Sequence, residues 1–164
     1  MAVVRSAGAL LFRSGDSGRI EVLLGHPGGP FWARRDAGAW SIPKGEYDVG
    51  EEPWVAAGRE FEEELGAPMP AGRVIELGTV HQPSGKRLTV FAVEADFDAA
   101  SARSNTFELE WPPGSGRQSS FPEIDRVEWF DCVTARAKLL SGQVEFLDRL
   151  LAAIKTEIPG AQEI

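Results

Sequence analysis

Cysteine, histidine and tyrosine are nearly missing from this chain, and each shortage removes a class of function. One cysteine, Cys132, stands among 164 residues, so no disulfide can form within the chain. That usage fits a reducing compartment. No nucleophile pattern surrounds Cys132, which reads as a small buried side chain beside the last strand. The two histidines, His26 and His81, lack any spacing partner for zinc, which leaves both as structural or surface residues. No apolar run approaches the roughly 18 residues of a membrane-spanning helix. Met1 to Phe12 is interrupted by Arg5 and Gly8 and has no positive leader, so it reads as a strand rather than a signal peptide. A cytoplasmic protein without a membrane partner is the expectation. Basic excess is absent too: 17 Lys and Arg face 25 Asp and Glu, a net charge of −8. Such a chain has no general attraction to nucleic acid or anionic lipid.

What is present is enough apolar material, 43% of the residues, for one domain over residues 1–164. Val3 to Arg13 and Ile20 to Leu24 read as a strand hairpin around a Ser-Gly-Asp-Ser-Gly turn. Ala39 to Ile42 reads as a short strand entering Pro43-Lys44-Gly45. Helical periodicity starts at Pro53 and stops at Gly66, with Pro68 just beyond. Arg73 to His81, Arg87 to Phe97 and Val127 to Phe130 are strand-like. A polar stretch over residues 98–122 contains one alternating segment, Phe107 to Trp111. Long stretches of this kind in compact domains are often functional, so it is expected to set specificity. The C-terminal segment carries Leu140, Val144, Leu147, Leu150, Leu151 and Ile154 at three-and-four spacing, which marks a helix over about residues 142–155 that should pack on the domain. Strands, helix, strands, helix is the order of an α/β domain layered around a mixed sheet.

The chemistry concentrates near the first helix. On a helix of about 100° per residue, with Glu60 at zero, Glu63 falls near about 300° and Glu64 near about 40°. Trp54, Gly58, Phe61 and Leu65 occupy an arc from about 100° to about 160°. One arc can pack on the sheet while the other presents three carboxylates. Like charges at this spacing destabilise a bare helix, and their partial burial raises carboxylate pKa values unless a cation compensates. Mg²⁺ takes one or two carboxylates, waters and phosphate oxygens. A magnesium site on the solvent side of a packed helix is the physical reading. Arg59 could hold Glu51 or a neighbouring carboxylate through a bidentate pair. By charge patterning alone, acidic helix faces are usually just solvated, so the wider pattern has to decide.

That pattern is Gly45-x5-Glu51-x7-Arg59-Glu60-Phe61-x-Glu63-Glu64-x-Gly66-Ala67. It resembles the signature of the Nudix hydrolase family at every charged and glycine position; the closing Ala67 replaces a larger aliphatic. The resemblance implies a Nudix-type α/β/α sandwich with the signature as loop-helix-loop. It implies Mg²⁺, with Mn²⁺ able to substitute, and hydrolysis of a diphosphate linkage in a nucleotide-like small molecule. Carried over by position, the metal ligands are Glu60, Glu63, Glu64 and the backbone carbonyl of Lys44, with Arg59 and Glu51 orienting them. Glycine at 45 lets the backbone approach the metals closely. Members of the MutT branch often use a glutamate six residues before a tryptophan, which here is Glu123 before Trp129, as ligand or general base. Glu108 and Glu110, on the polar face of the alternating segment, compete for that role.

Lys44 and Arg35, then Lys86, Arg87 and Arg117, are the cations placed to meet phosphates. Trp32 and Trp111 are the candidates to stack a base. Ala7-Gly8-Ala9 and Trp40 to Gly45 are similar to the dinucleoside-polyphosphate hydrolase branch, and the nucleoside-triphosphate pyrophosphohydrolase branch is about as close. The tyrosine that the former often places after the signature is missing, since Tyr47 is the only tyrosine. Two rival readings share the fold. A non-catalytic nucleotide sensor usually loses signature carboxylates, and all are kept here. An RNA 5′-end pyrophosphohydrolase is weakly opposed by the acidic charge. The family is often dimeric, and a homodimer is compatible with this chain.

Overall fold

The computed structural model describes residues 3–157; residues 1, 2 and 158–164 of the expected domain lie outside the described residues. Its centre is β1 (Arg5–Ser14), where alternation sends Ala7, Ala9 and Leu11 to one face and Leu10 and Phe12 to the other, all buried. A strand covered on both faces needs a near-continuous apolar run, which Ala7 to Phe12 supplies. β1 pairs in parallel with β5 (Arg87–Glu94), and β5 pairs antiparallel with β4 (Arg73–His81). On its other edge β1 is shared. Its first half pairs antiparallel with β3 (Lys44–Glu46), and its second half with β2 (Ile20–Pro27). β2 in turn pairs antiparallel with β8 (Ile124–Asp131), giving the mixed order β4-β5-β1-β2-β8 with β3 beside β1.

One face packs under α1 (Pro53–Leu65) through Phe61 and Leu65 against Ala9, Leu11, Leu23 and Val93. Ala56 and Ala57 extend the contact onto Ala7 and Phe91. The other face lies under α2 (Cys132–Lys138) and α3 (Val144–Glu157), where Phe146, Leu147 and Leu150 meet Leu10, Phe12, Ile42, Ile75 and Leu88. This is an α/β/α sandwich, as the sequence led us to expect.

Several details differ from the sequence expectation. α2 was not anticipated: it has seven residues with a single buried one, Ala135, so no periodic stripe betrays it. Asp131 caps it by accepting from the Thr134 N–H at 2.8 Å. Ala39 to Ile42 is no continuous strand. It makes isolated bridges, Ser41 to Gly25 and Trp40 to Leu139, and regular pairing begins only at Lys44. Buried Gln143 substitutes for a neighbouring strand there, accepting from the Ile42 N–H at 2.8 Å and donating to Ser41 Oγ at 3.0 Å. The polar stretch is a second small sheet, the hairpin of β6 (Thr106–Glu110) and β7 (Gln118–Pro122). No helix among the described residues is long and apolar enough to cross a membrane.

Candidate active site

α1 begins at Pro53, whose missing N–H costs nothing in a first turn, and ends at Gly66 in the left-handed conformation (φ 77°). Between them the helix presents Arg59, Glu60, Glu63 and Glu64 to the loop that runs from β3. Arg59 is the organiser. Its Nε and Nη2 grip both oxygens of Glu51 at 2.9 and 3.0 Å. Its Nη1 donates to Glu60 at 2.7 Å and to Glu63 at 3.3 Å, while Nη2 also reaches the Glu46 carbonyl at 3.3 Å. One guanidinium thus ties both ends of the loop to the helix. The bidentate pair holds Glu51 below the usual carboxylate range, and Glu51, then Glu60 and Glu63, raise the Arg59 pKa.

The solvent-side expectation needs a correction at Glu60, which is buried at 8% exposure. The cause is Gly45. A Cβ there would lie 2.0 Å from Glu60 Oε2, so only glycine lets the carboxylate tuck under β3. Burial pushes the Glu60 pKa up; Arg59 opposes this, and repulsion from Glu63 and Glu123 adds to it. Glu64 goes further, to about 8, again mainly by burial. The Lys44 charge and the Lys44 N–H, which donates to Glu64 Oε2 at 3.1 Å, pull the other way; Glu60 and Glu123 push up. Glu63 stays 41% exposed.

Glu123 therefore stands within electrostatic reach of Glu60 and Glu64, although it is far away in sequence. Its main chain is pinned at both ends. The Glu123 N–H donates to the Asn105 carbonyl at 2.8 Å, and the Gly28 N–H donates to the Glu123 carbonyl at 2.9 Å. Asn105 itself donates to the Glu63 carbonyl at 3.0 Å, and Arg103 to the Leu65 carbonyl at 2.9 Å, so this segment satisfies the end of α1. Ser104 Oγ accepts from the Ile124 N–H at 3.1 Å and lies 3.0 Å from the Ile124 carbonyl and 2.9 Å from that of Asn105. Nearby, buried His26 donates through Nε2 to the Arg35 carbonyl at 2.6 Å, and its Nδ1 sits 2.7 Å from the Asp125 carboxylate. Ser104, Asn105, Gly28 and Asp125 carry no signal in the sequence, whereas His26, expected as a structural or surface residue, is a buried structural one. Asn105 and Gly28 act through their backbone and Ser104 binds backbone groups through its hydroxyl, so no spacing rule points to them.

The competitors stand apart. Glu108 and Glu110 lie on the exposed face of the hairpin, where Glu110 accepts from the Gly116 N–H at 2.9 Å. Lys86 is 3.8 Å from Glu46, at the outer end of β3. Trp32 packs in part against the main core with the Arg35 guanidinium 5.4 Å from its ring centre, while Trp111 meets Phe31. Arg117 is exposed at the hairpin end, beside Trp111. Cys132 is half-buried at the start of α2, with burial raising its pKa.

Among the described residues no three carboxylates converge in ligating geometry. The reason is local: like charges separate, and each takes the donor in reach, Arg59 for Glu60 and Glu63 and the Lys44 N–H for Glu64. The donor set nonetheless fits a hard divalent cation. It is all oxygen, buried Glu60 and half-buried Glu64 both have raised pKa values, and a glycine at 45 opens the approach. Beside Glu64 a polar cleft of about 270 Å³ opens between the 99–104 segment and β8, lined also by Arg103, Asp125 and Arg126.

Comparison with known proteins bears on the family and the fold. The profile of the NUDIX domain matches residues 3–150. An 8-oxo-(d)GTP phosphatase of Mycolicibacterium smegmatis is 36% identical over 114 residues, which are 67% of this chain and 35% of that protein. The chain thus matches about a third of that relative's length. Among solved structures, the NUDIX domain of Shewanella oneidensis NrtR, complexed with ADP ribose, superposes with a TM-score of 0.65 at 15% identity, covering 94% of this chain and 90% of that one. A C. elegans Ap4A hydrolase gives 0.61 at 19% identity over 92% and 98%. A mutT/nudix family protein of Listeria innocua gives 0.63 at 17% identity over 96% and 98%.

Proposed function

Because the chain belongs to the NUDIX family, we propose that it hydrolyses a phosphoanhydride linkage in a nucleoside diphosphate derivative, with Mg²⁺ held at Glu60, Glu63 and Glu64. A nucleoside triphosphate, its oxidised forms included, or a dinucleoside polyphosphate is the substrate class. The observation that carries the reading is the mutually repelling carboxylate pair of buried Glu60 and half-buried Glu64, with Glu123 brought near from the junction of β7 and β8. Buried charges of one sign call for a cation, and a diphosphate arriving with Mg²⁺ supplies it. The 8-oxo-(d)GTP phosphatase relative supports the nucleotide class.

The cation would be held by Glu60, Glu63 and Glu64, with the Lys44 carbonyl and Glu123 as further oxygens; bound there, it neutralises phosphate charge and acidifies water. The remaining work falls to the chain. Arg59 keeps Glu51, Glu60 and Glu63 in one arrangement, so little reorganisation is needed as charge develops. Glu123, fixed through Asn105 and Gly28, takes the proton of the attacking water as the new P–O bond forms and the anhydride P–O bond breaks. The Lys44 ammonium meets the outer phosphate. Products are a nucleotide and a second phosphorylated fragment.

The test is product analysis with Mg²⁺ and with chelator, against nucleoside triphosphates, 8-oxo-dGTP, diadenosine polyphosphates, ADP-ribose and capped RNA. Glu63→Gln serves as the blank. Cleavage of one class, lost with chelator and in the variant while the fold is kept, is the expected result. Near-normal turnover in Glu63→Gln would sink the reading.

A further inference from the structure

We propose that Phe31 and Trp111 form the subsite for the nucleobase of the substrate; this rests on the reading of the carboxylate cluster as the phosphate end. Phe31 is 63% exposed, the largest exposure of any aromatic ring that the structure leaves in solvent. A lone exposed apolar side chain is ordinary. Phe31 is not alone: its ring meets Trp111 edge to face, with centroids 5.6 Å apart and planes at 84°. The two rings come from separate segments, the Gly-Pro-rich loop after β2 and the end of the β6–β7 hairpin.

The path between them leads back to the carboxylates. Gly28 is bonded to the Glu123 carbonyl, Gly29 sits against the Phe107 ring, and Phe31 reaches Trp111. The loop therefore runs along the hairpin from its Glu123 end outward. Close approach demands glycine here: a Cβ on Gly28 would lie 1.9 Å from the Pro122 carbonyl oxygen, and one on Gly29 would lie 2.9 Å from Phe107. Phe31 is three residues beyond Gly28, a reach of at most about 10 Å, and the hairpin rises about 3.4 Å per residue. By these limits the ring pair lies within roughly 20 Å of Glu123, a span on the scale of a polyphosphate with its ribose.

The surroundings suit a planar, oxygen-rich ligand. Arg117 lies across the hairpin end from Trp111, whose backbone N–H donates to the Arg117 carbonyl at 2.9 Å. Arg34 follows Phe31 by three residues. Both arginines are exposed and, among the described residues, make no ion pair, in a chain whose net charge is −8. A protein partner needs on the order of 800 Å² on each side. Two rings fall far short of that, and the opposite hairpin face carries Glu108, Glu110 and Gln118, all exposed. Trp32, next to Phe31 in the loop, packs against the core and is not part of the pair.

The experiment measures equilibrium binding, with Mg²⁺, of a non-hydrolysable nucleoside triphosphate analogue and of inorganic tripolyphosphate. Stacking of a base on an aromatic ring contributes about 5- to 100-fold in affinity. The native protein should prefer the nucleotide by that factor. Phe31→Ala and Trp111→Ala should erase the preference and leave tripolyphosphate affinity unchanged, whereas Phe31→Tyr should keep both. Phe31 is a surface side chain, so its variant tests the idea even where Trp111→Ala disturbs the hairpin. An unchanged preference in Phe31→Ala overturns the subsite, as does a native protein that binds both ligands equally. If sedimentation shows that Phe31→Ala separates a dimer while the preference persists, the rings are a subunit contact and the proposal fails. Absent tripolyphosphate binding, with nucleotide binding lost in Phe31→Ala, would keep the base subsite and remove the phosphate assignment instead.

Discussion

Replacing Glu64 by Gln should stabilise the metal-free protein while destroying its use of metal. Glu64 has an ordinary pKa of 4.5 and a folded one of about 8. Between those values the unfolded chain has released the proton and the folded chain retains it. Stability therefore falls as pH rises through that window and stays at its reduced level above about 8. At about 1.4 kcal/mol for each pH unit, the full penalty is on the order of 5 kcal/mol. Movement of Lys44 and entry of water around the charge recover part of it, leaving roughly 1–3 kcal/mol. Glutamine keeps an oxygen to accept from the Lys44 N–H and has no charge to bury. With chelator at pH 9, thermal unfolding of Glu64→Gln should occur roughly 3–10 °C above that of the native protein, and the gap should close toward pH 5. Added Mg²⁺ should raise the native protein and leave the variant unmoved. A variant less stable than the native protein in chelator at pH 9, or a gap that does not change with pH, would refute the account of Glu64 as a desolvated charge awaiting a cation.

Two further outcomes follow from contacts around the same carboxylates. Gly45→Ala puts a Cβ 2.0 Å from the Glu60 carboxylate, so Glu60 must leave its pocket; metal affinity measured by calorimetry should fall at least about tenfold, with overall stability changed by less than about 3 kcal/mol. Ser104→Ala strips the Ile124 N–H of its partner and loosens the Glu123 segment. Its kcat should drop about tenfold or more with KM nearly unchanged, and Ser104→Thr should restore it; a fall in stability alone, with normal kcat, would reduce Ser104 to a structural role.

Much of this molecule was legible in one dimension, because the signals concerned are local. The helix over Pro53–Leu65 announces itself through Pro53, Gly66 and the Phe61 and Leu65 stripe, and the wheel places Glu60, Glu63 and Glu64 together. Spacing also singled out Arg59 with Glu51, and the structure joins them by two hydrogen bonds. The alternation of Phe107 and Leu109 survives in β6, which stops one residue short of Trp111. Other features depend on which distant segments meet. Glu60 reads as solvent-facing on the wheel, since the wheel knows nothing of β3 lying over it; Gly45 decides its burial. The approach of Glu123 to the helix rests on backbone bonds through Asn105 and Gly28, groups that every residue carries and that leave no mark in the sequence. The pairing of Phe31 with Trp111 needed the hairpin to fold back on the loop. Side-chain type and periodicity thus determined the elements and the inventory of charged groups. Burial, and with it the raised pKa values of Glu60 and Glu64, was decided only when the sheet closed over them, because desolvation depends on neighbours from the whole chain.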